Sequence, residues 1–224
     1  TRVDTDRYWV DGEYRQVMVA PRELAIEQLH NRTWVNERLQ YTHGYGLVMS
    51  PVNRVTPEGL PDLWIYDIPP KSKVGEALAV TRPEIYYGEQ TNHYVFVKTE
   101  VPEFDYPQGD QNAETVYQGT GGVPMGSWGR RLLFSLRFRD SKIVWTQSFT
   151  KDSRVMYYRN ILERAGKIAP FLRYDREPYM VVANGRLFWI VDAYTSTDRY
   201  PYVEPVTGWG SYVRNSVKVV IDAY

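Results

Sequence analysis

The chain contains no cysteine. That absence removes a disulfide framework, a thiol nucleophile and a thiolate metal site together. Net charge is also missing: 27 Lys and Arg stand against 27 Asp and Glu. Global attraction to nucleic acid or to an anionic surface therefore has no support. No run approaches the roughly 18 consecutive apolar residues of a membrane span, and no signal-peptide pattern opens the sequence. Histidine is scarce, with only His30, His43 and His93 present. The named catalytic and phosphate motifs fail as well. Residues 121–126 have the G-x-x-x-x-G spacing, but Ser127-Trp128 stands where Lys-Ser/Thr should follow. Pro124 interrupts a G-x-G-x-x-G reading from Gly119, and Gly126-Ser127-Trp128 does not complete G-x-S-x-G.

What is present is aromatic and much punctuated. Nineteen tyrosines and seven tryptophans accompany 14 prolines and 16 glycines, a composition of many turns that excludes a helical bundle. A chain of 224 residues, 43% hydrophobic, can bury roughly 70% of its unfolded surface. One domain over residues 1–224 is expected. Charge is uneven along it. Between residues 99 and 129 there is no Lys or Arg, whereas residues 130–176 hold twelve of them against four acids. Docking of the acidic half on the basic half is the expectation.

Asp11-Gly12 predicts a hairpin centred in 8–20, and Asn184-Gly185 predicts a clearer one over 179–191. Helices are predicted over 21–29 behind Pro21, over 34–39, and over 161–169 behind the capping residue Asn160. Strands are expected at 63–68 and 93–98, and Pro-rich 102–112 reads as loop. The stretch 143–148 fits helix and strand equally. Residues 190–194 and 220–224 echo one another as strand endings. Strands and helices mix without βαβ regularity, so the fold class is α+β, with mixed, mostly antiparallel strands, a few short helices and many loops.

At the centre, residues 119–139 run from a glycine-rich loop into a basic helix capped by Ser127, with Leu132, Leu133 and Leu136 on one face. Gly121, Gly122 and Ser127, with Arg130 and Arg131 beside them, could hold an anion at the helix start. Packing of the loop beneath Trp128 is the simpler reading.

Several phrases together resemble one bacterial family. They are Leu39-Gln-Tyr-Thr-His-Gly-Tyr-Gly46, Arg82-Pro-Glu-Ile-Tyr-Tyr-Gly-Glu89, Tyr106-Pro-Gln-Gly-Asp110, the run over 189–202, and the closing Val213-Arg-Asn-Ser-Val-Lys-Val-Val-Ile-Asp-Ala-Tyr224. Across essentially its whole length the chain is similar to the outer region of the large uncharacterised multi-pass bacterial membrane proteins. The resemblance implies a place on the extracytoplasmic face of the bacterial cell membrane. It implies the membrane portion of the same longer protein as a partner, and a last strand that runs on beyond residue 224. It supplies no activity, cofactor or catalytic residue. Thr1 is not a start methionine, in keeping with a piece of a longer protein.

For chemistry, His43, Glu84, Glu89 and His93 are the residues that could form an acid–base group or, if brought together, ligate zinc, although no metal-spaced motif exists. His30 reads as a helix-end or surface residue. Asp105, Asp110 and Asn112 form only a loose oxygen-ligand loop without the EF-hand order. Asp198 and Arg199, with Asp192 and neighbouring tyrosines, mark a possible ligand edge whose simpler reading is a salt-bridged loop. No cofactor, metal centre or nucleic-acid partner is implied. The expected role is binding or assembly at the cell envelope, with envelope glycan or protein as partner. Cell-wall glycan or peptide hydrolysis is the alternative, and a mainly structural role is a third.

Overall fold

The computed structural model describes residues 2–224, and within them the fold is α+β, built mostly from antiparallel strands in several small sheets. The first hairpin joins strands Asp4–Val10 and Glu13–Pro21 in register from Asp4↔Val19 to Val10↔Glu13. Asp11 and Gly12 turn it with φ of 52° and 78°, the double positive φ that a type I′ turn requires. Strand Leu47–Pro51 adds to Glu13–Pro21 and carries the short strands Ile65–Tyr66 and Lys71–Ser72 beyond it.

A second sheet forms around Arg186–Thr197. It pairs with Tyr179–Ala183 through Asn184-Gly185, whose φ angles of 51° and 75° match the predicted turn. Alternation places Leu187, Trp189, Val191 and Ala193 inward, and Trp189 is wholly buried, donating from its indole to the Tyr87 carbonyl at 2.9 Å. Strand Tyr212–Asp222 lies along the other edge. The echoed segments are therefore neighbours in one sheet, with Ile190 opposite Val220.

Among the described residues three α-helices complete the frame, α1 (Trp128–Phe138), α2 (Lys142–Trp145) and α3 (Ile161–Ile168), and the helix expected over 34–39 forms as a π-helical segment, Asn36–Gln40. The 143–148 ambiguity resolves as α2 followed by extended chain from Thr146, whose ψ is 134°. Asn160 caps α3 as its side chain predicts, accepting from the backbone of Leu162 and Glu163 at 3.1 Å each. Two apolar clusters lie inside, a larger one about Trp189, Tyr86 and Met49, and a smaller one about Phe96, Leu39 and Ile143 beneath α1 and α2.

Four expectations are corrected. Residues 21–29 do not form a helix: the strand runs to Pro21, and only Ile26–Gln28 makes a helical turn. Gly44 explains this, because a Cβ there would sit 2.8 Å from the Glu23 Cα, so the bare backbone lets the two segments run side by side. Residues 102–112 are not loop but belong to a hairpin of Glu103–Gln108 and Gln111–Thr115. Its ribbon tolerates Pro107 and is covered by aromatic pairs, Tyr41 on Phe104 and Tyr45 on Tyr106, each 5.1 Å between centroids. The glycine loop does not pack beneath Trp128, which is 61% exposed. Nor do acidic and basic halves pair: among the described residues no ion pair links 99–129 to 130–176. Arg131, Arg154 and Arg159 go instead to backbone carbonyls.

Candidate functional site

A cavity of about 500 Å³ opens between the glycine loop, α3 and the Tyr212–Asp222 strand. Its floor follows from Tyr117. Gly121 lies so close that a Cβ would be 2.8 Å from the Tyr117 hydroxyl, and that hydroxyl accepts the Gly121 N–H at 3.1 Å. Tyr224 stacks on Tyr117 at 4.8 Å. Arginines then stand on the tyrosines. The Arg82 guanidinium is 4.4 Å from the Tyr224 ring centre, and that of Arg164, on α3, is 4.5 Å from Tyr87. Arg186 forms the third, paired with Asp222. Three guanidinium groups against this one carboxylate leave the cleft a formal charge of +2. Tyr174 closes one side, its hydroxyl 2.8 and 2.9 Å from the carbonyl oxygens of Ala165 and Ala169 at the end of α3, which share its one hydrogen.

Of the anion-site candidates Gly121, Gly122, Ser127, Arg130 and Arg131, Gly121 alone lines this cleft. Gly122 approaches the backbone of Val155, where a Cβ would lie 2.7 Å from the carbonyl oxygen. Ser127 occupies the N-cap position of α1 in extended conformation without a side-chain capping bond. Arg130 and Arg131 turn away and donate to the carbonyls of Pro124 and Met125 at 3.3 and 3.2 Å. Arg82, Arg164 and Arg186 carried no local signal, since each comes from a different element.

A second, smaller cavity of about 130 Å³ lies under the Glu103–Thr115 hairpin and holds His43. His43 precedes the Gly44–Tyr45 strand, which pairs with Glu84–Ile85. The ring is wholly buried, with Nδ1 3.0 Å from the Gly44 carbonyl and Nε2 4.0 Å from Asp105 Oδ1. Burial holds the imidazole pKa down at about 4. Burial, with Glu84 and Glu103 nearby, pushes the Asp105 carboxyl up to about 6. Glu103 beneath them is raised by burial although it accepts from Thr42, Tyr86 and the Tyr117 N–H.

The structure gives the other candidates separate partners. His93 Nε2 lies 3.3 Å from Glu27, and its carbonyl accepts from Arg159. Glu89 is 4.0 Å from Arg2, and burial, then Asp4 and Glu23, pushes it up to about 7. Glu84 pairs by backbone with Tyr45, and its buried Oε2 meets no donor. Asp198 and Arg199 sit at the exposed tip of the long hairpin, away from both cavities and without an ion pair to each other among the described residues. Asp192 pairs with Lys218 at 2.6 Å. Asp105, missed as a partner of His43, becomes adjacent only through the unforeseen hairpin. No group of three or more His, Asp or Glu among the described residues is arranged to hold a metal ion.

On the outside, α1 turns Trp128, Leu132, Leu133 and Leu136 to solvent, at 61%, 47%, 67% and 68% exposure, with Arg130 and Arg137 exposed on the same helix. Trp145 on α2 extends the apolar surface.

The pattern of the uncharacterised protein family UPF0182 matches residues 1–224. A UPF0182 protein of Pelotomaculum thermopropionicum is 53% identical over 224 residues, covering 99% of this chain and 24% of its own length. One of Geotalea uraniireducens is 54% identical over 223 residues, 99% of this chain and 25% of its own. One of Alkaliphilus metalliredigens is 52% identical over 225 residues, again 99% and 24%. The chain thus spans about a quarter of the length of the curated relatives it matches. No solved structure matches it. No helix among the described residues is long and apolar enough to cross a membrane.

Proposed function

The chain belongs to the uncharacterised UPF0182 family, and from that premise we propose that it is the extracytoplasmic binding module of a longer membrane-anchored envelope protein, with an acidic envelope glycan as its ligand. One observation carries the reading: three arginines from separate elements converge with four tyrosines on a single cleft of about 500 Å³. Guanidinium forks suit the carboxylates of an acidic sugar bidentately, and the tyrosines beneath hold the Arg82 and Arg164 forks in place. The cleft offers one carboxylate, Asp222, already engaged by Arg186, so hydrolysis by a carboxylate pair finds no second member there. The resemblance to multi-pass proteins supports the membrane anchor. The apolar face of α1 supports a contact with the membrane portion of the same longer protein, since relatives extend well beyond the matched quarter.

Calorimetric titration with oligogalacturonate and with a neutral oligosaccharide of equal length tests the proposal. Binding of the acidic chain alone is expected, weakened about tenfold or more by Arg164→Ala and falling with salt. Equal binding of both, or an unaffected variant, would sink it.

A further inference from the structure

We propose a second binding site, independent of the cleft: the pocket under the Glu103–Thr115 hairpin receives a small primary ammonium group, held between His43 Nε2 and Asp105 Oδ1. The argument begins with the tautomer. Nδ1 lies 3.0 Å from the Gly44 carbonyl, which can only accept, so Nδ1 carries the hydrogen. In the neutral ring Nε2 is then a bare acceptor. It faces another acceptor, Asp105 Oδ1, across 4.0 Å, and neither atom meets a donor although both are buried. Glu84 Oε2 is buried without a donor too, and its charge is felt at Asp105. Buried acceptors left unpaired are costly. Such a set lacks a group with several hydrogens and no lone pair.

A tetrahedral nitrogen suits the pair once the two side chains part to admit it, since neither acceptor atom presents surface to a water-sized group while they stand 4.0 Å apart. An atom about 2.9 Å from both acceptors sees them at an angle of about 90°, within reach of two N–H bonds of one ammonium. The charge agrees. Glu23, Glu84, Glu103 and Asp105 stand against Arg22 and Arg159, a formal sum of −2. Arg22 is spent on the Asp67 carbonyl, and Arg159 on those of Thr42, Tyr86 and His93. The walls agree as well: Tyr45, Phe104 and Tyr106 line the cavity and set aromatic carbon beside the methylenes next to the ammonium. A volume of about 130 Å³ admits an ammonium with a short alkyl stem, a space of about four waters. Two sources share this chemistry, an ethanolamine headgroup and the side-chain amine of a diamino acid.

The test uses ¹⁵N NMR of the His43 ring with propylamine, phosphoethanolamine, Nα-acetyl-lysine amide and choline as probes. Propylamine is expected to shift Nε2 saturably. A stronger response to phosphoethanolamine or to the lysine derivative identifies the source. Choline, which has no N–H, is expected to leave Nε2 unmoved. Asp105→Asn, whose amide can donate to Nε2 and keep the fold, is expected to weaken propylamine at least tenfold. An Nε2 signal unmoved by every amine would mean that the pair holds its own proton or a water, and the proposal would fall. Equal affinity in Asp105→Asn, or an equal response to choline, would overturn it too.

Discussion

At the scale of single residues, Arg159 holds the most. Its guanidinium is buried and donates to the carbonyls of Tyr86, His93 and Thr42, joining three segments far apart in sequence. Burial lowers its pKa to about 10, so it stays charged at neutral pH. Lysine cannot reproduce the planar fork. We expect Arg159→Lys to lose about 3 kcal/mol in urea denaturation, because carbonyls shaped for the fork lose donors; a loss under about 0.5 kcal/mol would show them re-paired. The neighbouring Asn160 was legible in the sequence, since a cap acts on the next three residues. Arg159 was not, because its partners lie 66 to 117 positions away. The same distance hid Asp105 from His43, whereas His43 itself stood out beside its glycines.

At the scale of elements, α1 was readable as a helix but not as to which side faces inward. Its sequence carries two apolar faces. Leu132, Leu133 and Leu136 make the more obvious stripe, yet they are exposed, and Phe134 and Phe138 pack against the smaller core. Phe138 stacks on Tyr94 at 4.1 Å with 6° between planes. Periodicity reports a stripe; only the partner decides which stripe is buried. Leu133→Ser and Leu136→Ser are expected to change stability by no more than about 0.5 kcal/mol. Phe138→Ala is expected to cost about 2 kcal/mol, below a fully buried phenylalanine because the ring is only partly covered. The reverse ranking in thermal unfolding would place the helix the other way round. The two hairpins with Asp-Gly and Asn-Gly turns were legible for the opposite reason, since their turn chemistry is complete within two residues. The Glu103–Thr115 hairpin, poor in strand formers and containing Pro107, gave no such signal.

For the molecule as a whole, α+β with antiparallel strands was legible because turn residues and short apolar runs recur along the whole chain. The site was not, because both cavities are assembled by long-range contact. Buried and half-buried ionisable groups also set opposing pH responses. His43 titrates at 6.5 when unfolded and about 4 when folded. Between those values the unfolded chain takes up a proton that the buried ring refuses, so stability falls as pH drops, by on the order of 3 kcal/mol. Asp105, raised from 3.8 to about 6, and Glu89, raised from 4.5 to about 7, hold protons that the unfolded chain releases. Their contribution falls as pH rises from about 4 to about 7, damped because both are partly solvated. In His43→Gln only the second response remains. Its stability relative to the parent is expected to improve by on the order of 3 kcal/mol between pH 7 and pH 4. A constant difference across urea titrations at those pH values would show an ordinarily titrating histidine. The last residues of the chain carry a further consequence. The Ala223 carbonyl takes the N–H groups of both Tyr86 and Tyr87, and the Tyr224 hydroxyl takes that of Gln118. Strands made early in synthesis therefore wait for residues 223 and 224 to leave the ribosome. Until then the N–H groups of Tyr86 and Tyr87 lack their acceptor, and this seam of the core closes late.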